Sequence, residues 1–201
     1  GWLELRPEIW RRYVADVERL TPLYADHQIL QAALQGRTGI NGFDEWVQEL
    51  LSTGYLHNHV RMWFASIWIF TLKLPWALGA DFFLRHLLDA DAASNTLSWR
   101  WVGGLQTPGK IYLATKDNIA RFTGGRYAPD GLAIHAEPLV DVSFPEPESL
   151  RVIKDSDPTK KSILLLHADD LHPDFLSMEK DRFEKIYILN DPSLFWGKGA
   201  F

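Results

Sequence analysis

His57-Asn-His-Val-Arg-Met-Trp-Phe-Ala-Ser-Ile-Trp-Ile-Phe-Thr-Leu-Lys-Leu74, followed at once by Pro75, is the stretch that decides the fold. After Arg61 it is apolar almost all round, and a helix without a polar face belongs at the centre of a helical core. Its apolar run, Met62 to Leu72, is much shorter than the roughly 20 residues needed to cross a bilayer, so it reads as a buried helix and not as a membrane span. Pro75 lacks the backbone N–H that would continue the helix and ends it.

Helices flank this stretch on both sides. Upstream, Pro7 suits a first helical turn, and Ile9, Trp10, Tyr13, Val14, Val17 and Leu20 follow at helical spacing. A second helix is expected from Asp26, as N-cap, to Leu34, with Gly36 as the stop. A third runs from Gly42 to Ser52, with Phe43, Trp46, Val47, Leu50 and Leu51 on one stripe and Gly54 closing it. Downstream, Ala80–Leu88 and Ala92–Val102 read as helices separated by Asp89-Ala90-Asp91, and a short helix fits Asp117–Phe122.

The character then changes. Residues 138–161 carry Pro138, Pro145, Pro147 and Pro158 among polar residues and read as a linker. Ser162–His167 and Lys185–Leu189 read as buried strands around an amphipathic helical segment over 173–184. That is a βαβ unit with parallel strands. Two strands do not make an independent sheet domain, so this segment is expected to pack on the helices, on another chain or within a larger α/β domain. The fold class expected is mainly α: a helical bundle over residues 1–137, a Pro-rich linker over 138–161 and a small βαβ segment over 162–201.

Composition narrows the function. The absence of cysteine excludes disulfides and thiolate chemistry and fits a reducing, cytoplasmic setting. A net charge of −5 gives no overall footprint for nucleic acid, though a local basic groove stays open. Nine tryptophans are the anomaly. Trp2, Trp10, Trp46, Trp63 and Trp68 fall on apolar stripes and read as core. His167-Ala-Asp-Asp-Leu-His172 has the look of a metal cluster but reads as the polar loop after a strand, so no metal site is expected. The opening Gly-Trp-Leu-Glu has no leader pattern and no initiator Met, which reads as part of a longer protein.

Two polar stripes stand beside the apolar helix. His57 and Arg61 lie four apart, with Asn58 and Met62 next to them. Asp91, Asn95 and Trp99 also fall four apart, so a carboxylate, an amide and an indole share one helix face. Polar groups placed there must pair with one another or with a ligand. Both readings are open at this point: a structural Arg61–Asp89 bridge between helices, or a ligand pocket.

Gly36-Arg-Thr-Gly39, then Ser52-Thr-Gly-Tyr-Leu-His-Asn-His-Val-Arg-Met62, then Asp89-x-Asp91-x-x-x-Asn95-x-x-x-Trp99-x-Trp101, resembles the C-terminal half of the FAD-binding domain of the photolyase/cryptochrome family. A weaker similarity continues through Asn118-Ile-Ala-Arg-Phe122. The resemblance implies FAD as cofactor and damaged DNA as a partner. It implies that Arg61 and Asp89 form an ion pair against the flavin, that Asp91 bonds the flavin or its ribityl chain, that Asn95 faces flavin N5, and that Asn58 lies at the same pocket. It further implies Trp99 as the electron donor nearest the flavin, Trp76 as the next relay, and Trp101 and Met62 as contacts of a flipped-out pyrimidine dimer.

The sequence departs from the family in three places. His59 stands where the family's His-Asn-Arg has a phosphate-binding arginine, and Leu23-Tyr24 occupies the place of the outermost relay tryptophan. The family's first half, with its Ser/Thr-rich diphosphate cradle, is not in this sequence, so the chain is expected to carry about half a FAD site and not to repair DNA unaided. Three functions follow: a photolyase-like enzyme using blue light and flavin electron transfer to repair pyrimidine dimers, a cryptochrome-like photoreceptor without repair, or a helical remnant that binds a partner without flavin.

Overall fold

Pro7 opens the longest helix because its fixed φ suits a first turn and its missing N–H has no partner to lose there. In the computed structural model, which describes residues 2–141, 143–150, 152, 157, 159–166 and 183–188, a one-turn helix α1 (Trp2–Leu5) precedes this helix, α2 (Pro7–Leu23). Helix α3 (Gln28–Leu34) is capped by His27, whose Nδ1 accepts from Leu30 N–H at 3.3 Å, and not by the expected Asp26. A neutral imidazole nitrogen serves as a cap acceptor as a carboxylate would. Helix α4 (Phe43–Thr53) ends on Gly54 at φ 67°. A Cβ there would lie 2.6 Å from Leu88 Cγ, so only glycine fits both the turn and the packing.

The apolar stretch from His57 is less regular than its sequence suggests. Helix α5 covers Asn58–Ser66 and passes into a π-helical turn, Ile67–Thr71, in which Leu72 N–H reaches back to Ile67 C=O at 2.9 Å. The extra residue in that turn keeps Ile67, Trp68, Ile69 and Phe70 all buried. Trp68 Nε1–H donates to Pro75 C=O at 2.9 Å, satisfying a buried indole. Helix α6 begins at Trp76, directly after Pro75, and not at Ala80 as the pattern suggests; it ends at His86. The residues from Ala77 to Leu84 are buried without interruption, so no polar stripe exists from which a boundary could be read. Helix α7 (Ala92–Val102) matches the expected span, and α8 covers Lys116–Phe122.

Helix α6 is the centre of the bundle and packs against α2 and α7, while α5 also packs against α7. Gly79 makes the closest of these contacts possible. An added Cβ would sit 2.3 Å from Trp99 and 2.9 Å from Trp68, so both indoles rest on bare backbone.

The Pro-rich segment after residue 138 is not a free linker along its first half. Leu139 N–H donates to Gly103 C=O at 2.9 Å, Arg12 reaches Asp141 and Ser143, Arg6 donates to Pro145 C=O at 3.0 Å, and Glu148 N–H donates to Leu5 C=O at 2.7 Å. The helical unit therefore runs to Ser149, and a second unit follows from Leu150.

In that second unit, β1 (Ser162–Leu166) pairs in parallel with β2 (Phe183–Ile188), from Ser162 opposite Phe183 to Leu166 opposite Ile188, with one register irregularity after Ser162. The strands were expected to be buried, yet Ile163, Leu165, Ile186 and Ile188 are exposed and Leu166 alone is buried among the described residues of the pair. Phe183 and Glu184, read as the end of the crossing helix, belong to β2. The rest of that helical segment, His167-Ala-Asp-Asp-Leu-His172, Leu189 and Trp196 lie outside the described residues.

Candidate functional site

Arg61 projects from α5 toward the connection between α6 and α7. Its Nη2 donates to both carboxylate oxygens of Asp89, at 3.0 and 2.9 Å, and its Nε donates to Leu56 C=O at 2.8 Å. The arginine is mostly buried, whereas Asp89 remains 59% exposed. An ion pair this open contributes only about 0–1 kcal/mol to stability. Asp89→Ala is therefore expected to shift a urea-unfolding free energy by no more than about 1 kcal/mol.

Asp91 is the N-cap of α7: its Oδ1 accepts from Ser94 N–H at 2.6 Å, close to the helix's positive end. One turn on, buried Asn95 donates through Nδ2 to Ala80 C=O at 2.7 Å, which fixes the amide plane and leaves Oδ1 as an acceptor. Another turn brings Trp99, fully buried, with rings of Phe83, Trp68 and Phe64 around it at 5.1, 6.2 and 6.3 Å, all edge-on. Its Nε1–H is buried and has no partner among the described residues.

These groups surround one cleft of about 560 Å³. Asn58, Arg61, Met62, Asp89, Asp91, Asn95, Trp99 and Trp101 all line it, over an apolar bed that includes Ala65, Phe83, Leu87 and Val102. Its size and its mix of apolar walls with a few convergent polar groups are those of a small-molecule site. Trp101 stands 41% exposed and is stacked on Tyr112 at 6.0 Å.

Trp76 is the exception among the expected site residues. It does not line the cleft; it packs on Tyr13 at 5.7 Å, and the Arg100 guanidinium stands over its ring at 5.7 Å. Among the described residues the indole beside Trp99 is Trp68, which reads as plain core in sequence because it lies in an apolar run. Tyr24 stacks on His27 at 5.0 Å.

A second polar cluster lies at the α2–α6 interface. Buried Asp81 pairs with Arg85 at 2.7 Å, and burial raises its carboxyl above the usual range while Arg85 pulls the other way. Burial chiefly, with Asp81 adding to it, pushes the Tyr13 phenol far up. The spacing of Asp81 and Arg85 along α6 was visible in the sequence; the tyrosine opposite them was not.

A flat cofactor with an apolar ring and polar edges fits the cleft. Arg61 offers donors, Asn95 and Asp91 offer acceptors, and the bed is apolar. Among the described residues no helix is long and apolar enough to cross a membrane.

The family described as the FAD binding domain of DNA photolyase matches residues 3–123. The chain is similar to Cryptochrome-1 of Arabidopsis thaliana, at 36% identity over 110 residues, covering 55% of this chain and 16% of that protein. It is also similar to Cryptochrome-2 of the same plant, at 37% over 113 residues, covering 56% and 18%. A deoxyribodipyrimidine photo-lyase of Thermus thermophilus is 30% identical over 145 residues, covering 67% of this chain and 34% of the photo-lyase. The chain thus spans a minor part of the length of these relatives. No solved structure matches it. The match over residues 3–123 establishes that this chain belongs to the family of FAD-binding domains of DNA photolyase, with FAD as its cofactor.

Proposed function

We propose that the cleft between α5, α6 and α7 holds the flavin ring of FAD and that the protein uses it for blue-light-driven electron transfer. The observation that carries this reading is convergence. Residues from two separated sequence stripes, Asn58 to Met62 and Asp89 to Trp101, line a single cleft with a buried indole at its wall. When bound, the flavin supplies light absorption and one-electron chemistry.

The chain's residues supply the rest. Arg61, held by Asp89 and Leu56 C=O, presents a fixed positive charge. Asn95, pinned by Ala80 C=O, presents an acceptor that favours a protonated nitrogen over an unprotonated one. Trp99, itself buried, stands ready to give up an electron. Trp101, exposed and stacked on Tyr112, offers a platform for an unstacked base, and with Met62 it supports a pyrimidine dimer in DNA as the substrate. The net charge of −5 and His59 at the position of the family's arginine favour the alternatives: a photoreceptor without repair, or a helical remnant without flavin. The cysteine-free composition supports a cytoplasmic setting.

Titration with riboflavin, which carries the ring and ribityl chain without the diphosphate, tests the cleft directly. Its fluorescence should be quenched on binding, because the ring would lie against Trp99. Asn95→Ala should lose that quenching while circular dichroism stays unchanged. Quenching that survives the substitution would place the flavin elsewhere. Repair of dimer-containing DNA under blue light, comparing the native chain with Trp101→Ala, then separates repair from signalling.

A further inference from the structure

From Pro138 onward the chain lies against two parts of the helical unit and is anchored on both. At the C-terminal end of α7, Gly103 and Gly104 leave a notch of bare backbone. A Cβ on Gly103 would lie 2.8 Å from Leu139 Cδ1, and one on Gly104 would lie 3.0 Å from Pro138 Cβ. Leu139 sits at this notch with its N–H on Gly103 C=O at 2.9 Å. Two residues on, the Asp141 carboxylate accepts from Arg100 of α7 at 3.1 Å and from Arg12 of α2 at 3.4 Å, so one side chain ties two helices. Residues 143–148 are then held on the N-terminal helices. Arg12 donates to Ser143 C=O at 2.7 Å and Arg6 to Pro145 C=O at 3.0 Å, the Arg6 guanidinium stands over Phe144 at 5.4 Å, and Glu148 N–H reaches Leu5 C=O at 2.7 Å.

Arg100 is 3% exposed, and a buried guanidinium is costly unless a carboxylate answers it. It does not line the cleft, whereas Asp91, Asn95 and Trp99 of the same helix region do. The helix is therefore held from two sides, by the cleft's packing on one and by residues 138–141 on the other. The segment itself is lightly anchored. Val140 is 93% exposed, Phe144 is exposed, and the ties to α2 are hydrogen bonds and partly exposed ion pairs. Such a segment opens locally while the bundle beneath it stays folded. We propose that residues 138–141 and 143–148 form a latch on α7 that sets the affinity of the cleft for flavin. The inference rests on the flavin reading above for its ligand. Docked, the latch neutralises Arg100 and fixes the last turn of α7, which carries Trp99. Released, it leaves a buried cation that α7 relieves by shifting, and the cleft loses its fit to the ring. Because coupling between two sites is reciprocal, flavin in the cleft also strengthens the docking of the latch.

Amide hydrogen exchange resolved by NMR reads the latch without flavin. The amides of Leu139, Glu148 and Gly103 donate to the carbonyls of Gly103, Leu5 and Trp99. In Asp141→Ala all three should exchange about tenfold faster or more, while the amides of α4 keep their protection. Leu139→Ala, which empties the Gly103 notch without touching the charge, should act in the same direction and serves where Asp141→Ala unfolds. Ile134→Ala, at a side chain 82% exposed, is the control and should change none of them. Native-like exchange of any of the three amides in both latch variants overturns the latch. Riboflavin affinity, read by fluorescence quenching, should fall about fivefold or more in the latch variants, and saturating riboflavin should slow exchange of the native Leu139 amide by a comparable factor. Equal riboflavin affinity in native and variant chains overturns the coupling and leaves the flavin reading standing. A native chain that binds no riboflavin, with the three amides responding as expected, overturns the flavin reading and leaves the latch on α7 standing.

Discussion

Trp99→Phe is expected to leave the helical unit folded and to abolish blue-light reduction of its flavin by an external reductant. Trp99 is the fully buried indole on the cleft wall, and its edge-on neighbours other than Trp68 are phenylalanines. A phenyl ring in its place fills most of the same volume but holds its electrons too tightly to be oxidised, so the first transfer has no donor. The stability cost should be about 1 kcal/mol, because the lost contact area is partly offset by removing a buried N–H that has no partner. Steady illumination followed at the flavin band, with unfolding in urea as the fold control, reads both effects. Trp101→Phe is the comparison: that ring sits at 41% exposure, and its loss should leave photoreduction unchanged. Photoreduction at the native rate in Trp99→Phe would remove Trp99 from the electron path.

The second large effect is on stability. Gly79→Ala places a methyl group 2.3 Å from the Trp99 ring and 2.9 Å from that of Trp68, both fully buried. In an exposed helix the same change would stabilise by about 1 kcal/mol. Here overpacking should outweigh that gain and leave a net loss of about 1–3 kcal/mol or more, because neither indole has space to move. A lowered urea midpoint with an unchanged slope is the expected signature. A raised midpoint would mean that Trp99 leaves α6 without cost, and the wall of the cleft would then need redrawing.

Most of the candidate site was legible in the sequence because its spacing is local. Asp91, Asn95 and Trp99 recur every four residues, and any helix places such residues on one face. Arg61 and Asp89 were legible for a different reason: charges beside an apolar helix must find partners, and the family resemblance pairs these two. The helix from Ala92 to Val102 was readable to the residue, since Asp91 caps it and Gly103 follows it.

What failed to show in the sequence depends on contacts between distant segments. The π-helical turn at Ile67–Thr71 and the start of α6 at Trp76 lie in a region where nearly every side chain is apolar, so periodicity carries no boundary there. The docking of Ser143, Pro145 and Glu148 on the N-terminal helices rests on hydrogen bonds to Arg12, Arg6 and Leu5, far away in the chain, and a proline-rich composition reads as a linker without them.

The choice among tryptophans shows the division most clearly. By itself the sequence determined that Trp99 shares a helix face with Asp91 and Asn95, because that is a property of one helix. Whether Trp68 or Trp76 stands beside it, and that Tyr13 packs on Trp76, was decided by the tertiary structure. The first of those neighbours is set by how closely Trp99 and Trp68 approach α6, which the bare backbone of Gly79 allows, and the consequence of that glycine depends on what packs against it.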